Sequence, residues 1–245
     1  MSILSLLILL HILGDFYFQT NAMCSKKCKS ILWLFIHSII YGLPFLLFLI
    51  YFTSFSFSLY ATGILIAAHF LQDFAKCKIL KRIDNNPTNL ALFFADQTLH
   101  IAIIWMLSVF AQSSLYPYRL IFFQDGHFSK DILAVFHFLY AALICGRPAA
   151  YIVSHILMCL QQPEEDVPSN GSGHLIGILE REIILVLIML QQYSAIGFVM
   201  TAKSFARYKN LEDKYFAEKY LVGTLASVLI SLVCGILLFG KINIP

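Results

Sequence analysis

The sequence predicts an all-α integral membrane protein, a polytopic helical bundle, and three observations support this. Hydrophobic residues make up 59% of the 245 residues and charged residues only 13%, against roughly a quarter charged in ordinary soluble domains. Several apolar runs reach the ~20 residues that a transmembrane helix needs. No run alternates polar and apolar residues as the strands of a membrane β-barrel do. The net charge of +3 is dispersed along the chain, so we expect no nucleic-acid partner.

Four apolar segments in residues 1–115 predict two tandem transmembrane hairpins, residues 1–52 and 59–112. The four helices are expected over residues 3–22, 31–52, 59–75 and 90–112. The N-terminal segment has neither the basic region nor the cleavage site of a signal peptide, so we expect it to remain as the first helix.

The loop inside each hairpin is basic. The lysines and arginine concerned are Lys26, Lys27, Lys29, Lys76, Lys78, Lys81 and Arg82. The positive-inside rule places both loops in the cytoplasm, with the uncharged TSFSFS loop and the N-terminus outside. Cys24, Cys28 and Cys77 lie beside these lysines, and we expect reduced thiols there.

The rest of the chain divides into an interrupted segment with an acidic linker, residues 116–174, and a helical segment, residues 175–245. Gly146, Arg147 and Pro148 interrupt the apolar stretch 131–160, because proline kinks or ends a helix. The linker QQPEEDVPSNGSG follows, then helices expected over 174–200 and 216–239. A single crossing by 131–160 would leave the basic residues after position 200 outside. We therefore predict that 131–160 enters and returns as a re-entrant pair, which keeps every basic loop inside.

A His-x3-Asp pattern occurs in the first helix of each hairpin, as His11 with Asp15 and as His69 with Asp73. Residues four apart lie on one face of a helix. Ionisable groups at bilayer depth are costly and usually functional. The second helices add further groups at a similar depth, namely His37, Asp96 and His100. Repeated hairpins commonly form a shared site at their interface.

Counted from the cytoplasmic helix ends at ~1.5 Å per residue, these groups fall in one layer about 5 to 15 Å deep. The predicted ligands are His11, Asp15, His37, His69, Asp73, Asp96 and His100. Imidazoles and carboxylates suit zinc, manganese or iron, and their number favours two ions. Gln19, Gln72 and Gln97 are candidate supporting or substrate donors.

A site that holds two metal ions in this way indicates a metal-dependent hydrolase of a phosphoester. A metal-bound water would be the nucleophile. The shallow cytoplasmic depth suits a lipid headgroup, and basic loops attract anionic lipids. Polar chains in membranes also carry protons or metal ions, so transport is an alternative. A structural or partner-binding subunit, in which the polar layer only joins helices, is another.

The pattern His11, Asp15, Phe16, Gln19, then His69 and Asp73, then Asp96, Gln97 and His100 resembles an uncharacterised bacterial membrane family, domain of unknown function 3307. The resemblance covers residues 1–110 and implies the bacterial cytoplasmic membrane, without an activity. The stretches GILEREIILVL, GFVMTAKSFARY and EKYLVGTLAS resemble the C-terminal half of longer members. Their charged residues are expected either to contact substrate or to anchor helix ends, and they are Glu180, Arg181, Lys203 and Arg207.

A more distant resemblance starts at His37-Ser38 and ends at His69-x3-Asp73. This segment is similar to the bacterial inner-membrane metal-dependent hydrolases, whose motifs include His-Ser and His-x3-Asp. The acidic loop that supplies further ligands in that family does not occur here. The resemblance therefore implies that Asp96 and His100 take its place.

Overall fold

The computed structural model describes residues 3–83, 85–116, 130–160 and 172–239. All regular structure in these ranges is helical, and five helices are long and apolar enough to span a membrane, or six if a bent N-terminal pair forms one span. The predicted all-α multi-pass fold is thereby confirmed. The chain forms two compact units, residues 1–129 and 130–245. Residues 161–171 of the predicted acidic linker lie outside the described residues.

The first unit begins with helix α1, Ile3–Ile12, a π-helical turn, Leu13–Tyr17, and helix α2, Asn21–Lys27. The axis bends by 84° between the turn and α2, so the prediction of one helix over residues 3–22 is wrong. Thr20 explains the break, because it is extended (φ −77°, ψ 157°) and its side chain accepts a hydrogen bond from the Met23 amide. A threonine in this conformation starts a new helix.

The other three helices predicted for the first unit are all present. They are α3, Ile31–Phe52, α4, Phe55–Leu80, and α5, Asn86–Gln112. Both α4 and α5 extend beyond the predicted ranges 59–75 and 90–112. Ser54 caps α4 and Asn85 caps α5, which fixes their first residues. The extension of α4 makes Lys76 and Lys78 helical residues rather than loop residues.

The helices α1 and α4 each pack against both α3 and α5, so the four enclose a common interior. Towards the start of α1 this interior is apolar, with Leu7, Phe45 and Ile104 buried together. Close approach of α1 to α3 depends on Gly14. A Cβ atom there would lie 3.0 Å from Cδ2 and 3.2 Å from the main-chain oxygen of Tyr41.

A disulfide joins Cys28, just after α2, to Cys77 on α4. Their Cα atoms are 5.1 Å apart, within the range that a disulfide requires. The expectation of reduced thiols at these two positions is therefore wrong. The bend before α2 turns Cys28 back towards α4, a proximity that the linear sequence does not reveal.

The second unit begins with α6, Lys130–Cys145, and α7, Arg147–Cys159. Residues Ala134–Cys159 form one candidate span, so the predicted re-entrant pair is wrong. Only Gly146 leaves the helical conformation (φ −71°, ψ −113°), and Pro148 lies in the first turn of α7. Proline is tolerated there, because first-turn amides need no partner in the helix.

The chain turns back instead between α8, Ser172–Met189, and α9, Tyr193–Ala206. The prediction of one helix over 174–200 is wrong. Gln191 has a positive φ of 57°, and the amides of Gln191 and Gln192 donate to Ile188 and Leu187, as in a Schellman motif. A short 3-10 turn, Tyr208–Glu212, and α10, Lys214–Phe239, complete the unit. The Tyr215 hydroxyl donates to the Leu160 carbonyl at 3.0 Å.

Candidate metal centre

The interior of the first unit brings all seven predicted ligand residues into one buried network. Each is at most 7% exposed. The α1 segment with its π-turn contributes His11 and Asp15, α3 contributes His37, α4 contributes His69 and Asp73, and α5 contributes Asp96 and His100. The network therefore uses all four helices and both hairpins, as the repeated motif predicted.

A chain of imidazoles fixes the tautomer of His69. His100 Nδ1 lies 2.7 Å from the main-chain oxygen of Asp96, which can only accept, so His100 Nδ1 carries the proton. The Nε2 atom of a neutral His100 then accepts from His69 Nδ1 at 2.6 Å. His69 consequently presents the lone pair of its Nε2 atom to the interior. This is the tautomer that a metal-binding histidine adopts when its other nitrogen donates.

Three acceptor atoms converge on Nε2 of His37. His69 Nε2 lies 3.1 Å away, Asp15 Oδ1 3.3 Å and Asp73 Oδ2 3.5 Å. One N–H group cannot donate to all three. The other nitrogen of His37, Nδ1, is buried without a hydrogen-bond partner. The Nε2 side of the His37 ring therefore faces one nitrogen and two carboxylate oxygens. Such a group of acceptor atoms is suited to a cation.

The separations around Nε2 of His37 are compatible with ligands of a tetrahedral metal ion. Ligand atoms of Asp15, His37 and His69 all lie within 4.8 Å of one another, and Asp73 Oδ2 is 3.8 Å from His69 Nε2. Nitrogen and oxygen ligands at about 2.0 to 2.2 Å from zinc are roughly 3.3 to 3.6 Å apart in a tetrahedron. The separations of 3.1, 3.3 and 3.5 Å around His37 Nε2 are close to this value.

Two lysines reach into the network, which sequence reasoning assigned only to topology. Lys27 Nζ lies 2.9 Å from Asp73 Oδ2, and Lys76 Nζ lies 2.7 Å from Asp96 Oδ2. Lys76 had a detectable signal, since it follows His69 by seven residues and so shares its helix face. Lys27 had none, because only the 84° bend brings α2 across the end of α4.

Tyr41 is a third participant that the sequence analysis missed, four residues after His37 on the same face. Its ring stacks on His69 with centroids 3.8 Å apart, and its hydroxyl lies 3.2 Å from His11 Nδ1. His11 Nε2 contacts Gln97 Oε1 at 3.1 Å, and Gln97 Nε2 donates to Asp15 Oδ2 at 3.0 Å. A consistent set of donors thus runs from Tyr41 to Asp15, and it occupies both nitrogens of His11.

The three predicted glutamines differ in position. Gln97 orients Asp15 as described. Gln19, with its amide oriented to satisfy both ends, donates to the Asp15 main-chain oxygen at 3.0 Å and accepts from Lys27 at 3.2 Å. Gln72 has a buried Oε1 atom without a hydrogen-bond partner, and it makes none of the contacts described above.

The four charged residues predicted in the C-terminal segment lie in the second unit. Arg181 is only 2% exposed and donates to the Cys145 carbonyl at 2.5 Å and to Ser227 Oγ at 3.0 Å. It therefore satisfies the carbonyl freed by the break at Gly146, at the end of α6. Lys203 pairs with Glu180 at 2.6 Å, while Arg207 is a half-buried residue just after α9.

The chain belongs to the family described as "Protein of unknown function (DUF3307)", whose family model matches residues 3–128. The match covers nearly all of the first unit. It includes all seven histidine and aspartate positions of the network. No curated protein and no solved structure matches the chain. The resemblances to inner-membrane hydrolases and to the C-terminal half of longer members stay predictions.

Proposed function

We propose that the first unit is a membrane-embedded, metal-dependent hydrolase of a phosphoester. The observation that carries the proposal is the convergence of Asp15, Asp73 and His69 on Nε2 of His37 in a buried interior. Asp73 has Lys27 as a partner, but His69 Nε2 and Asp15 Oδ1 compete for the single Nε2 atom of His37, and a buried acceptor without a donor is costly. A divalent cation would satisfy them at once.

Asp15, His37, His69 and Asp73 would hold the ion. Bound zinc, manganese or iron would polarise a phosphoryl oxygen and lower the pKa of a water molecule to near neutrality. His100 positions His69 through the Nδ1 hydrogen bond, and Gln97 positions Asp15. These supporting contacts are the kind that orient metal ligands and strengthen their binding.

Lys27 would lose its present partner when a metal ion binds. Lys27 contacts Asp73, and a divalent ion bound by the same carboxylate would release its ammonium group. A freed ammonium beside the site attracts the negative charge of a phosphate. Lys76 would stay paired with Asp96, because Asp96 is not one of the four proposed ligands.

One ion is the number that this geometry favours. Among the described residues, Asp15, His37 and His69 form a compact group of ligand atoms within 4.8 Å of one another, and Asp73 adds to it through its contacts with His37 and His69. A second ion would have to use His11, Asp96 and His100, whose ring nitrogens and carboxylate already have protein partners. The two-ion site expected from the residue count stays a prediction, which the metal content tests.

Transport of a metal ion or a proton is a weaker candidate. A polar route would have to continue from the histidines towards the start of α1. The described interior there is filled by Leu7, Phe45, Leu65 and Ile104, each at most 3% exposed. Such a layer gives a permeating ion no ligands.

We propose the cytoplasmic membrane of a bacterium as the location, with the basic ends inside and the N-terminus outside. In the first unit Lys27 and Lys76 lie at one end of the bundle. In the second unit Lys203 Nζ lies 5.2 Å from the ring centroid of Tyr220, near the start of α10, and Tyr215 in the same part of α10 contacts Leu160. A single crossing by Ala134–Cys159 then satisfies the positive-inside rule without a re-entrant pair.

Metal content and hydrolysis measured on the same detergent-purified protein test the proposal. The protein should be expressed without a metal-binding affinity tag. Plasma mass spectrometry should find about one equivalent of zinc, manganese or iron, and reconstituted protein should cleave bis(4-nitrophenyl) phosphate or a lipid phosphoester. Both signals should disappear in His69→Ala and Asp15→Asn.

His174→Ala is the matched control, because His174 is exposed on α8 in the second unit. It should retain metal and activity. Folded wild-type protein that takes up no metal would refute the site. Loaded protein that cleaves neither substrate would refute the hydrolase and leave a metal site of another use.

A further inference from the structure

A cavity of about 60 Å³, open to the surface, lies on the first unit next to the metal centre. Its charged lining consists of four lysines, Lys27, Lys29, Lys78 and Lys81. No acidic side chain lines it among the residues that the structure describes. Lys27 is paired with Asp73, which lies outside the lining, but Lys29, Lys78 and Lys81 face the cavity without a carboxylate in its lining. This excess of positive charge favours an anion.

The backbone adds to the positive potential. Ser30 and Ile31 line the cavity, and Ser30 is the N-cap of the 22-residue helix α3 without forming a side-chain cap. The first amides of a helix lack partners within the helix and carry a partial positive charge. Together with the lysines, these amides favour a phosphate group.

The cavity also has an apolar side, formed by Leu34 and Phe74. Ile31 and Leu32, in the first turn of α3, are 66% and 65% exposed. The basic lining thus lies where the lipid-facing apolar surface of α3 begins. An anion that carries acyl chains would match both parts, whereas a free anion would use only the lysines.

We propose that this cavity binds the headgroup of an anionic phospholipid, with the phosphate among the lysines and the acyl chains along α3. Basic pockets between transmembrane helices at the cytoplasmic side are suited to such headgroups. The disulfide between Cys28 and Cys77 forms one wall. It holds the segment that carries Lys27 and Lys29 against α4.

Lys27 connects this cavity to the metal centre. It lines the cavity and its Nζ atom contacts Asp73 at 2.9 Å. In so far as it names the substrate, the inference rests on the proposed function, because the phosphoester held here would be the one presented to the metal. The binding of the lipid itself requires no metal.

Native mass spectrometry of the detergent-purified protein tests the binding. The probes are dioctanoyl phosphatidylglycerol, dioctanoyl phosphatidylcholine and inorganic phosphate. We expect the anionic lipid to bind, and the combined variant Lys29→Gln, Lys78→Gln, Lys81→Gln to weaken it about tenfold or more. All three lysines are exposed, so the fold should persist.

The combined variant Lys209→Gln, Lys214→Gln, Lys219→Gln removes the same charge from the second unit and should bind as the wild type does. Equal losses in the two variants, or none in the first, would overturn the cavity as the site. Equally tight binding of phosphatidylcholine would overturn selectivity for anionic lipid, and equally tight binding of phosphate would assign the cavity to a free anion.

The same titration on His69→Ala separates this inference from the proposed function. Lipid binding should be unchanged there although the metal is lost. Conversely, the variant of Lys29, Lys78 and Lys81 should keep its metal content. If one proposal fails, the measurement that tests the other still gives its own answer.

Discussion

The Nε2 atoms of His37 and His69 lie 3.1 Å apart, although the two residues belong to different hairpins and are separated by 32 positions. Helix α3 packs against α4 along its length, and this packing is what brings the atoms together. The contact joins the histidine of the first repeat's second helix to the His-x3-Asp motif of the second repeat. It is the centre of the proposed metal site.

The first prediction concerns the tautomer of His69. Replacing His100 by phenylalanine removes the acceptor for His69 Nδ1 but none of the four proposed ligands. Metal affinity should fall about 10- to 100-fold, the usual effect of losing such a supporting contact. Competition with a chelator of known affinity measures this, with His174→Phe as control. Unchanged affinity would show that His100 does not orient His69.

The second prediction concerns the close approach of α1 and α3. Gly14→Ala should lower the free energy of unfolding by about 1 to 3 kcal/mol, because the new Cβ atom meets the main chain of Tyr41. Gly63→Ala is the matched control, since a Cβ atom there would have nothing within 4 Å. Thermal unfolding in detergent compares the two. Equal stability would mean that α1 can shift without cost.

The third prediction concerns the break between α6 and α7. Arg181→Met should destabilise the protein by about 2 to 4 kcal/mol, because it leaves buried oxygens of Cys145 and Ser227 without a donor. Arg207→Met changes a half-buried residue after α9 and should have a much smaller effect. Unfolding temperatures measure both. Loss of metal content in Arg181→Met, with the fold intact, would contradict a purely structural role.

The fourth prediction concerns the cysteines. Treatment with a maleimide should modify Cys24 and Cys159, which are free and exposed, and should leave Cys28 and Cys77 unmodified until a reductant is added. Buried Cys145 is an internal negative control. Peptide mass spectrometry identifies each site. Modification of Cys28 and Cys77 without reductant would show that the bond is absent from the isolated protein.

The fifth prediction concerns orientation. An impermeant maleimide added to intact bacteria should label an introduced cysteine at Ser56, in the first turn of α4, but not one at Lys209 or the native Cys24. All three positions are exposed. The reverse pattern would invert the topology. Labelling of Lys209→Cys together with Ser56→Cys would show that the α8–α9 hairpin crosses differently from the single-crossing arrangement.

Much of the first unit followed from local sequence pattern. Apolar length is a property of a segment by itself, and the His-x3-Asp spacing places two groups on one face of any helix. The same reasoning failed where the conformation of a single residue ended one helix and changed the direction of the chain. Thr20 caps a new helix and Gln191 adopts a positive φ, and neither residue type marks a break by composition.

The sequence by itself determined the helical membrane fold and singled out the seven ionisable residues, because periodicity and hydrophobicity act within a segment. Only the tertiary structure decided which atoms meet. It turned Lys27 onto Asp73, joined Cys28 to Cys77 and placed Tyr41 against His69. These contacts depend on the bend after the π-turn and on how closely neighbouring helices pack, and both are set by interactions between segments far apart in the chain.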